Sequence, residues 1–349
     1  METPSHDPAS NVLGPGLNAE DIRVAVSRSG YPLQELVANV LAEQFAVQQE
    51  WSYVDTDTND IRTMDIFAEK YLYDPDQVGD ERVYPRLDLL VECKRSDLPY
   101  VFFLAPQQRW VRDFPLVAGL PSDEMNVTTD DSPSSWSLGV LDALGLRAHP
   151  FAANGPELAF SFSKAVRKGK QIELSGSEPF RDIVLPLTKA MRHFQTTASP
   201  PNRWGYFHCS LVLGIAVLDA PMVGVRVWDE LSDLTLLPWL RVVRHETERA
   251  AHPLRGGRLV AVDMVHKDFL RAYLQDHVLP FAEEFCRLAV KHHECLATGQ
   301  AFARGMERNW LEGVEERLEP RKMRARLLRL KLTVGNILRV LTGRKPLGE

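Results

Sequence analysis

Residues 86–95, RLDLLVECKR, are a short apolar run of branched residues with a charged end, a pattern typical of a β-strand. Side chains alternate between the two faces of a strand, so one face of this segment is expected to be apolar. The other face carries two carboxylates and one ammonium group, those of Asp88, Glu92 and Lys94. A strand with a purely structural role rarely needs such groups, so the segment indicates a site where chemistry takes place.

The composition is that of a soluble globular protein with room for one large domain or two ordinary ones. The chain has 349 residues, of which 44% are hydrophobic and 25% are charged. A net charge of -6 argues against a protein that coats nucleic acid through bulk charge alone. It does not exclude a nuclease, because metal ions can offset a cluster of carboxylates.

The cysteines and the apolar runs favour a reduced, cytoplasmic setting. The four cysteines are widely spaced and form no C-x-x-C pair, so neither a disulfide framework nor a zinc ribbon is expected. The N-terminus lacks the basic start and apolar core of a signal peptide. The longest apolar run, residues 211–227, is interrupted by Asp219, Pro221 and Arg226, which predicts paired strands and no membrane span.

Helical and strand patterns alternate along the chain. Pro32 suits the first turn of a helix that carries Glu35 beside apolar residues at helical spacing. Strands are expected at residues 51–54 and 63–68, the second of which bears Asp65. Further strands are expected at residues 86–95, 100–104, 208–217, 222–228, 236–243 and 258–265, and helices at 179–194, 268–278 and 281–296. This alternation predicts an α/β fold.

The domain boundaries follow from changes in composition. Residues 1–16 are rich in Pro, Gly, Ser and Asn and are expected to be disordered. Residues 17–300 are expected to form the main domain, with an irregular insertion near 105–137; whether 140–300 finish this domain or form a separate subdomain stays open. Residues 301–349 are expected to be a basic, amphipathic helical tail. Its cations are Arg321, Lys322, Arg324, Arg326, Arg329, Lys331 and Arg339.

Three short motifs, in their order along the chain, resemble the PD-(D/E)xK nuclease superfamily. They are LQELV at 33–37 on the helix, DIFA at 65–68 on a strand and ECKR at 92–95 on the next strand, and they are most similar to Mrr-like restriction endonucleases. The resemblance covers about residues 30–104 and implies a restriction-endonuclease-like core, a mixed central sheet flanked by helices. The proline that precedes the aspartate in the family is absent, and the span from Asp65 to Glu92 is longer than in the Mrr-like type.

The residue types suit phosphodiester hydrolysis. Asp65 and Glu92, on neighbouring strands, can hold one hard divalent cation through oxygen atoms. Lys94 lies two residues beyond Glu92, about 6.6 Å along the strand, and can orient the attacking water and stabilise negative charge. The resemblance implies that the backbone carbonyl of Cys93 and the carboxylate of Glu35 complete the ligands of Mg²⁺ or Mn²⁺. The Glu92–Lys94 motif is the only (D/E)-x-K in the chain.

Simpler interpretations stand beside each of these assignments. Glu92 and Lys94 could be a solvated pair on an edge strand, where the lysine guards against aggregation. Glu35 is favoured in the first turn of a helix by the helix dipole alone. Asp88 shares a face with Glu92 and could replace Asp65 as the second ligand; the superfamily order favours Asp65.

The expected function is a metal-dependent endonuclease that hydrolyses phosphodiester bonds, with DNA as the expected substrate and a homodimer as an option. A membrane partner is not expected. The alternative is a catalytically inactive protein that keeps the nuclease fold and binds a partner through its basic tail. That tail could contact nucleic-acid phosphates, lie on an anionic membrane or pack on its own domain.

Overall fold

The computed structural model describes residues 10–73, 82–105, 111, 114–130, 135–153, 155–201, 206–227, 232–246, 258–304 and 313–321. The strands are β1 Ala46–Val54, β2 Ile61–Tyr71, β3 Val83–Arg95, β4 Tyr100–Leu104, β5 Leu116–Ala118, β6 Glu124–Thr129, β7 Ser135–Gly139, β8 Leu158–Lys168, β9 Gln171–Ser175, β10 Phe207–Asp219, β11 Met222–Val227, β12 Ser232–Leu236, β13 Trp239–Glu246, β14 Arg258–His266, β15 Gln300–Ala303 and β16 Leu318–Pro320. The α-helices are α1 Ala19–Arg28, α2 Tyr31–Ala42, α3 Val140–Ala143, α4 Pro150–Ala153, α5 Ser177–Pro179, α6 Leu185–Thr197, α7 Leu270–Ala272, α8 Leu279–Lys291, α9 His293–Thr298 and α10 Val314–Arg317. Short 3₁₀ turns at Leu146–Ala148 and Lys267–Phe269 and π turns at Phe180–Val184 and Tyr273–Val278 join some of them.

Twelve of the described strands form one mixed sheet. Its order is β1-β2-β3-β10-β14-β13-β8-β4-β11-β12, with β5 beside β10 and β9 beside β8. β1, β2 and β3 are antiparallel neighbours, whereas β3, β10 and β14 run parallel. The prediction of an α/β fold is therefore confirmed, and strands from 140–300 complete the sheet that β1–β3 begin.

A smaller sheet of four strands, in the order β16-β15-β6-β7, joins distant parts of the chain. It contains β6 and the start of β7 from the region 105–137, where the sequence predicts an irregular insertion. It also contains β15 and β16, which lie inside the region expected to be a helical tail. β6 pairs locally with β7, whereas the pairing of β15 with β6 joins segments about 170 residues apart, which local composition cannot reveal. Residues 322–349 of the predicted tail and residues 1–9 of the predicted disordered N-terminus lie outside the described residues.

The predicted pairing of residues 208–217 with 222–228 is wrong, although both segments are strands. β10 pairs with β3 over thirteen positions, from Phe207↔Val83 to Asp219↔Arg95. β11 pairs instead with β4 and β12. The reason is that β10 is apolar along nearly its whole length and is buried in the middle of the sheet, as parallel strands usually are.

Helices cover both faces of the sheet, so β3 is buried on both sides. Leu87, Leu89 and Val91 belong to the hydrophobic cluster that includes residues of α2 and α8. Leu90 belongs to a second cluster that includes residues of α6, among them Leu187. β10 pairs with β3 as far as Arg95, and the Glu92 side chain is largely buried, so the interpretation of Glu92 and Lys94 as a solvated pair on an edge strand is wrong.

The predicted helix at residues 179–194 is present, and its helical backbone runs without a break from Ser177 to Thr197. Its hydrogen bonding changes to a π turn at Phe180–Val184, directly before Leu185 and Pro186, because a proline lacks the N–H of a regular α-helical turn. The Tyr53 hydroxyl donates a hydrogen bond to the Pro186 carbonyl oxygen at 3.1 Å, which ties this part of the helix to β1. Within the described part of the chain, no helix has both the length and the apolar character needed to cross a membrane.

Candidate active site

Asp65 and Glu92 meet where strands β2 and β3 separate. The antiparallel register of these strands ends at Ile66↔Val91, so Asp65 and Glu92 are the next residues on each side. Beyond that point the side chain of Asp65 bonds to the backbone of β3: its Oδ2 accepts a hydrogen bond from the Cys93 N–H at 2.7 Å. The side chain of Asp65 is thereby fixed against the strand that bears Glu92 and Lys94.

Lys94 forms an ion pair with Glu92 on the same face of β3. Its Nζ lies 2.5 Å from Glu92 Oε1. The Glu92 side chain is only 8% exposed and that of Lys94 is 29% exposed, so the pair is largely screened from solvent. The positive charge of Lys94 also opposes the rise that burial causes in the pKa of Asp65, as expected for a cation near that carboxylate.

The pKa values of Asp65, Glu92 and Lys94 are shifted by burial and by the charges of the other two groups. Burial raises the pKa of Glu92 to about 7; Lys94 opposes this rise, whereas the charges of Asp65 and Asp182 add to it. Burial also raises the pKa of Asp65, although the hydrogen bond from the Cys93 N–H and the charge of Lys94 act to lower it. Burial alone would lower the pKa of Lys94, but the charges of Glu92 and Asp65 raise it above its ordinary value. Carboxylates with raised pKa values beside a cation are typical of functional sites.

Two residues that no sequence pattern indicated lie beside Asp65: Gln34 on α2 and Glu50 on β1. The pairing of β1 with β2 keeps one register from Gln49↔Ile66 to Trp51↔Met64, so Glu50 lies directly opposite Asp65, and its φ of 50° is left-handed. Gln34 Nε2 donates to Glu50 Oε1 at 3.0 Å and to the Asp65 carbonyl oxygen at 3.1 Å. No local pattern marks Glu50, because its position opposite Asp65 exists only once β1 has paired with β2.

Glu35 is not part of this cluster. It lies on the exposed side of α2, where its Oε2 accepts a hydrogen bond from Gln49 Nε2 at 3.3 Å. Successive residues on a helix are turned by about 100°, so the buried Gln34 faces Asp65 while Glu35 faces solvent. The simpler interpretation, an acid in the first turn of a helix, is wrong as well, because α2 begins at Tyr31 and Glu35 lies in its second turn.

Asp88, the alternative to Asp65, is engaged elsewhere on β3. It is fully buried, and its Oδ1 lies 2.7 Å from Arg86 Nε, while Arg86 Nη1 also pairs with Glu69 Oε2 at 2.9 Å. Burial raises the pKa of Asp88 to about 6 even though Arg86 opposes the rise. Asp88 therefore serves a structural ion pair, and Asp65 is the carboxylate beside Glu92.

The donor set fits a cation that keeps much of its water. Among the described residues, no group of three or more His, Cys, Asp or Glu side chains is arranged to hold a metal ion. Burial raises the pKa of the Cys93 thiol, so its sulfur stays protonated. Mg²⁺ is usually bound by one or two carboxylates plus waters and substrate phosphates, which Asp65 and Glu92 can match without a third side chain.

Replacing Glu92 with glutamine is expected to stabilise the fold at neutral and higher pH. A carboxyl group whose pKa is about 7 when folded and 4.5 when unfolded binds its proton more tightly in the folded state. Stability is then highest below the unfolded pKa and falls as the pH rises through the folded one. Glutamine does not titrate, so the Glu92→Gln variant does not lose stability as the pH rises. Its free energy of unfolding should exceed that of the wild type by on the order of 2 kcal/mol near pH 8.

Urea unfolding of both proteins between about pH 5 and pH 8 measures the difference. The gap between the variant and the wild type should widen as the pH rises. A constant gap, or a variant that is the less stable protein near pH 8, would show that the folded state does not raise the pKa of Glu92.

Comparison with known proteins adds no relative. The chain matches no protein-family model, no curated protein and no solved structure.

Proposed function

We propose that this protein is a metal-dependent nuclease that hydrolyses phosphodiester bonds, with DNA as its substrate. The observation that carries the proposal is the meeting of the Asp65 carboxylate, the Glu92 carboxylate and the Lys94 ammonium at the end of the β2–β3 ladder. These are the groups that phosphodiester hydrolysis requires: oxygen ligands for a divalent cation and a cation that can face the reacting phosphate.

The order of the elements supports the same proposal. α2 precedes the antiparallel strands β1, β2 and β3, and α6 leads to β10, which lies parallel to β3 in the middle of the sheet. A mixed sheet with helices on both faces, bearing the acids and the lysine on neighbouring strands, is what a restriction-endonuclease-like core requires. The large number of strands that follow β4 would then be additions around that core.

In the proposed reaction, Mg²⁺ held by Asp65, Glu92 and the Cys93 carbonyl would neutralise the phosphate and supply an activated water. Lys94 donates hydrogen bonds to that water or to a non-bridging phosphate oxygen, where negative charge develops. Asp65 keeps its orientation through the Cys93 N–H. Glu92 has to lose its proton before it can bind a cation, so activity should increase as the pH rises through about 7.

The test is cleavage of supercoiled plasmid DNA and of single-stranded DNA with Mg²⁺ or Mn²⁺, with an excess of chelator as the blank. Two matched variants examine the geometry: Glu50→Gln alters the carboxylate beside Asp65, and Glu35→Gln alters the exposed one. We expect Glu50→Gln to lose about tenfold in rate and Glu35→Gln to stay within about twofold of wild type.

Each outcome has a clear meaning. If Glu35→Gln loses activity and Glu50→Gln does not, Glu35 has the supporting role that the family resemblance implies. If no DNA is cut with either metal, the nuclease proposal fails. Binding of DNA without cleavage would then favour the alternative of an inactive nuclease-fold protein.

A further inference from the structure

A cavity of about 620 Å³ lies at the carboxyl ends of three neighbouring parallel strands. The strands are β3, β10 and β14, and they contribute Arg95, Asp219 and His266 to its wall. Clefts at the carboxyl ends of parallel strands are where α/β sheets commonly bind ligands, and this volume lies in the range of small-molecule sites.

The frame of the cavity is held by backbone hydrogen bonds. The Ser96 N–H donates to the Asp219 carbonyl oxygen at 3.1 Å, which ties the β3–β4 loop to the end of β10. The His266 N–H donates to the Pro238 carbonyl oxygen at 2.9 Å, which ties the end of β14 to the start of β13. Because four chain segments are joined in this way, the cavity exists before any ligand arrives.

Two cations in the wall share one carboxylate. Lys267 Nζ lies 2.9 Å from Asp219 Oδ1, and Arg95 Nε lies 3.7 Å from Asp219 Oδ2. All three side chains are about one-third exposed, so an anion that enters the cavity can reach both cations. A phosphate group has more acceptor oxygens than a carboxylate and forms strong hydrogen bonds with lysine and arginine, so it could replace Asp219 there.

The rest of the wall is apolar on one side and acidic on the other. Leu237 and Pro238 form an apolar surface against which a flat ring can pack. Asp97 and Asp268 also line the cavity and can accept hydrogen bonds from hydroxyl groups. A phosphate, a ring and hydroxyl groups occur together in a nucleotide.

We infer that this cavity binds a nucleotide, with its phosphate on Lys267 and Arg95 and its base against Leu237 and Pro238. Arg95 follows Lys94 directly in the sequence, but alternation along β3 puts its side chain on the opposite face from Glu92 and Lys94, and binding in the cavity requires neither a metal nor cleavage. The inference therefore goes beyond the proposed nuclease activity and can be tested independently of it.

The experiment is calorimetric titration of the full chain, in excess chelator, with AMP, GMP, CMP and UMP, and with adenosine and inorganic phosphate as partial ligands. At least one nucleotide should bind at least about tenfold more tightly than either partial ligand. Lys267→Gln should weaken that binding about tenfold, and Asp219→Asn should tighten it severalfold because the competing carboxylate charge is gone. Lys168→Gln removes a lysine that pairs with Glu173 on the surface and should change nothing.

Three results would overturn the inference. The first is that no nucleotide binds at millimolar concentration. The second is that inorganic phosphate binds as tightly as the nucleotides, which would make this an anion site only. The third is that neither Lys267→Gln nor Asp219→Asn changes the affinity. Since no divalent metal is present, none of these results bears on DNA cleavage, and a failure of cleavage would leave this inference standing.

Discussion

Lys94→Gln is expected to reduce metal-dependent DNA cleavage by about 10³-fold or more while leaving the fold intact. The Lys94 ammonium is paired with Glu92 at 2.5 Å and acts electrostatically on Asp65. Glutamine keeps much of the length of the lysine side chain but carries no positive charge that could stabilise the negative charge of the phosphate. Glu92 can respond by keeping its proton, because its pKa of about 7 is already raised by burial, so no uncompensated charge is left inside the protein.

The measurement is the rate of plasmid nicking at saturating Mg²⁺, with circular dichroism and thermal unfolding as checks on the fold. Lys70→Gln is the matched control, because Lys70 lies on β2 away from Asp65, where its Nζ donates to Gln44 Oε1 at 3.3 Å and lies 5.8 Å from the centre of the Phe45 ring. Its rate should remain within about twofold of wild type. If Lys94→Gln keeps more than a tenth of the activity, the proposed role of the lysine is wrong.

Asp263→Ala is expected to destabilise the protein by about 3–5 kcal/mol, because it leaves a buried guanidinium unpaired. Asp263 on β14 and Arg241 on β13 are both buried and face each other across the ladder. Arg241 Nε and Nη2 donate to the two carboxylate oxygens at 2.7 and 3.1 Å. The Tyr273 hydroxyl adds a hydrogen bond at 2.9 Å, and the guanidinium lies 3.7 Å from the centre of the Phe114 ring.

Urea unfolding measures this loss, and two other variants show whether it comes from the unpaired charge. Glu173→Ala breaks an exposed pair with Lys168 and should cost less than about 0.5 kcal/mol. The double variant Arg241→Met with Asp263→Leu removes both charges and should recover most of the stability. A double variant as unstable as Asp263→Ala would mean that the pair stabilises the protein through its packing and not through its charges.

Much of the candidate site could be predicted because its parts are short and local. The run 86–95 is recognisable as a strand from its own residues, and alternation puts Glu92 and Lys94 on one face whatever the strand's neighbours are. The helix carrying Gln34 and Glu35 and the strand carrying Asp65 are likewise local patterns. What periodicity could not resolve is which of two adjacent residues on α2 faces Asp65, because that choice depends on how the helix packs on the sheet.

The remaining parts of the site depend on contacts between distant segments. Glu50 lies opposite Asp65 only because of the register in which β1 pairs with β2. Asp182 raises the pKa of Glu92 although some ninety residues of chain separate them, because α6 packs against β3 and the π turn that carries Asp182 leads directly into α6. Neither residue has a neighbour in sequence that indicates such a role.

The amino-acid sequence by itself determined the order of helices and strands around the site and the identity of three of its charged groups, because burial periodicity and side-chain alternation act within a few residues. The tertiary structure alone decided that β10 lies parallel to β3, that Arg241 pairs with Asp263, and that a cavity opens between the ends of β3, β10 and β14. These features depend on which strands become neighbours, and that is settled by the packing of the whole sheet.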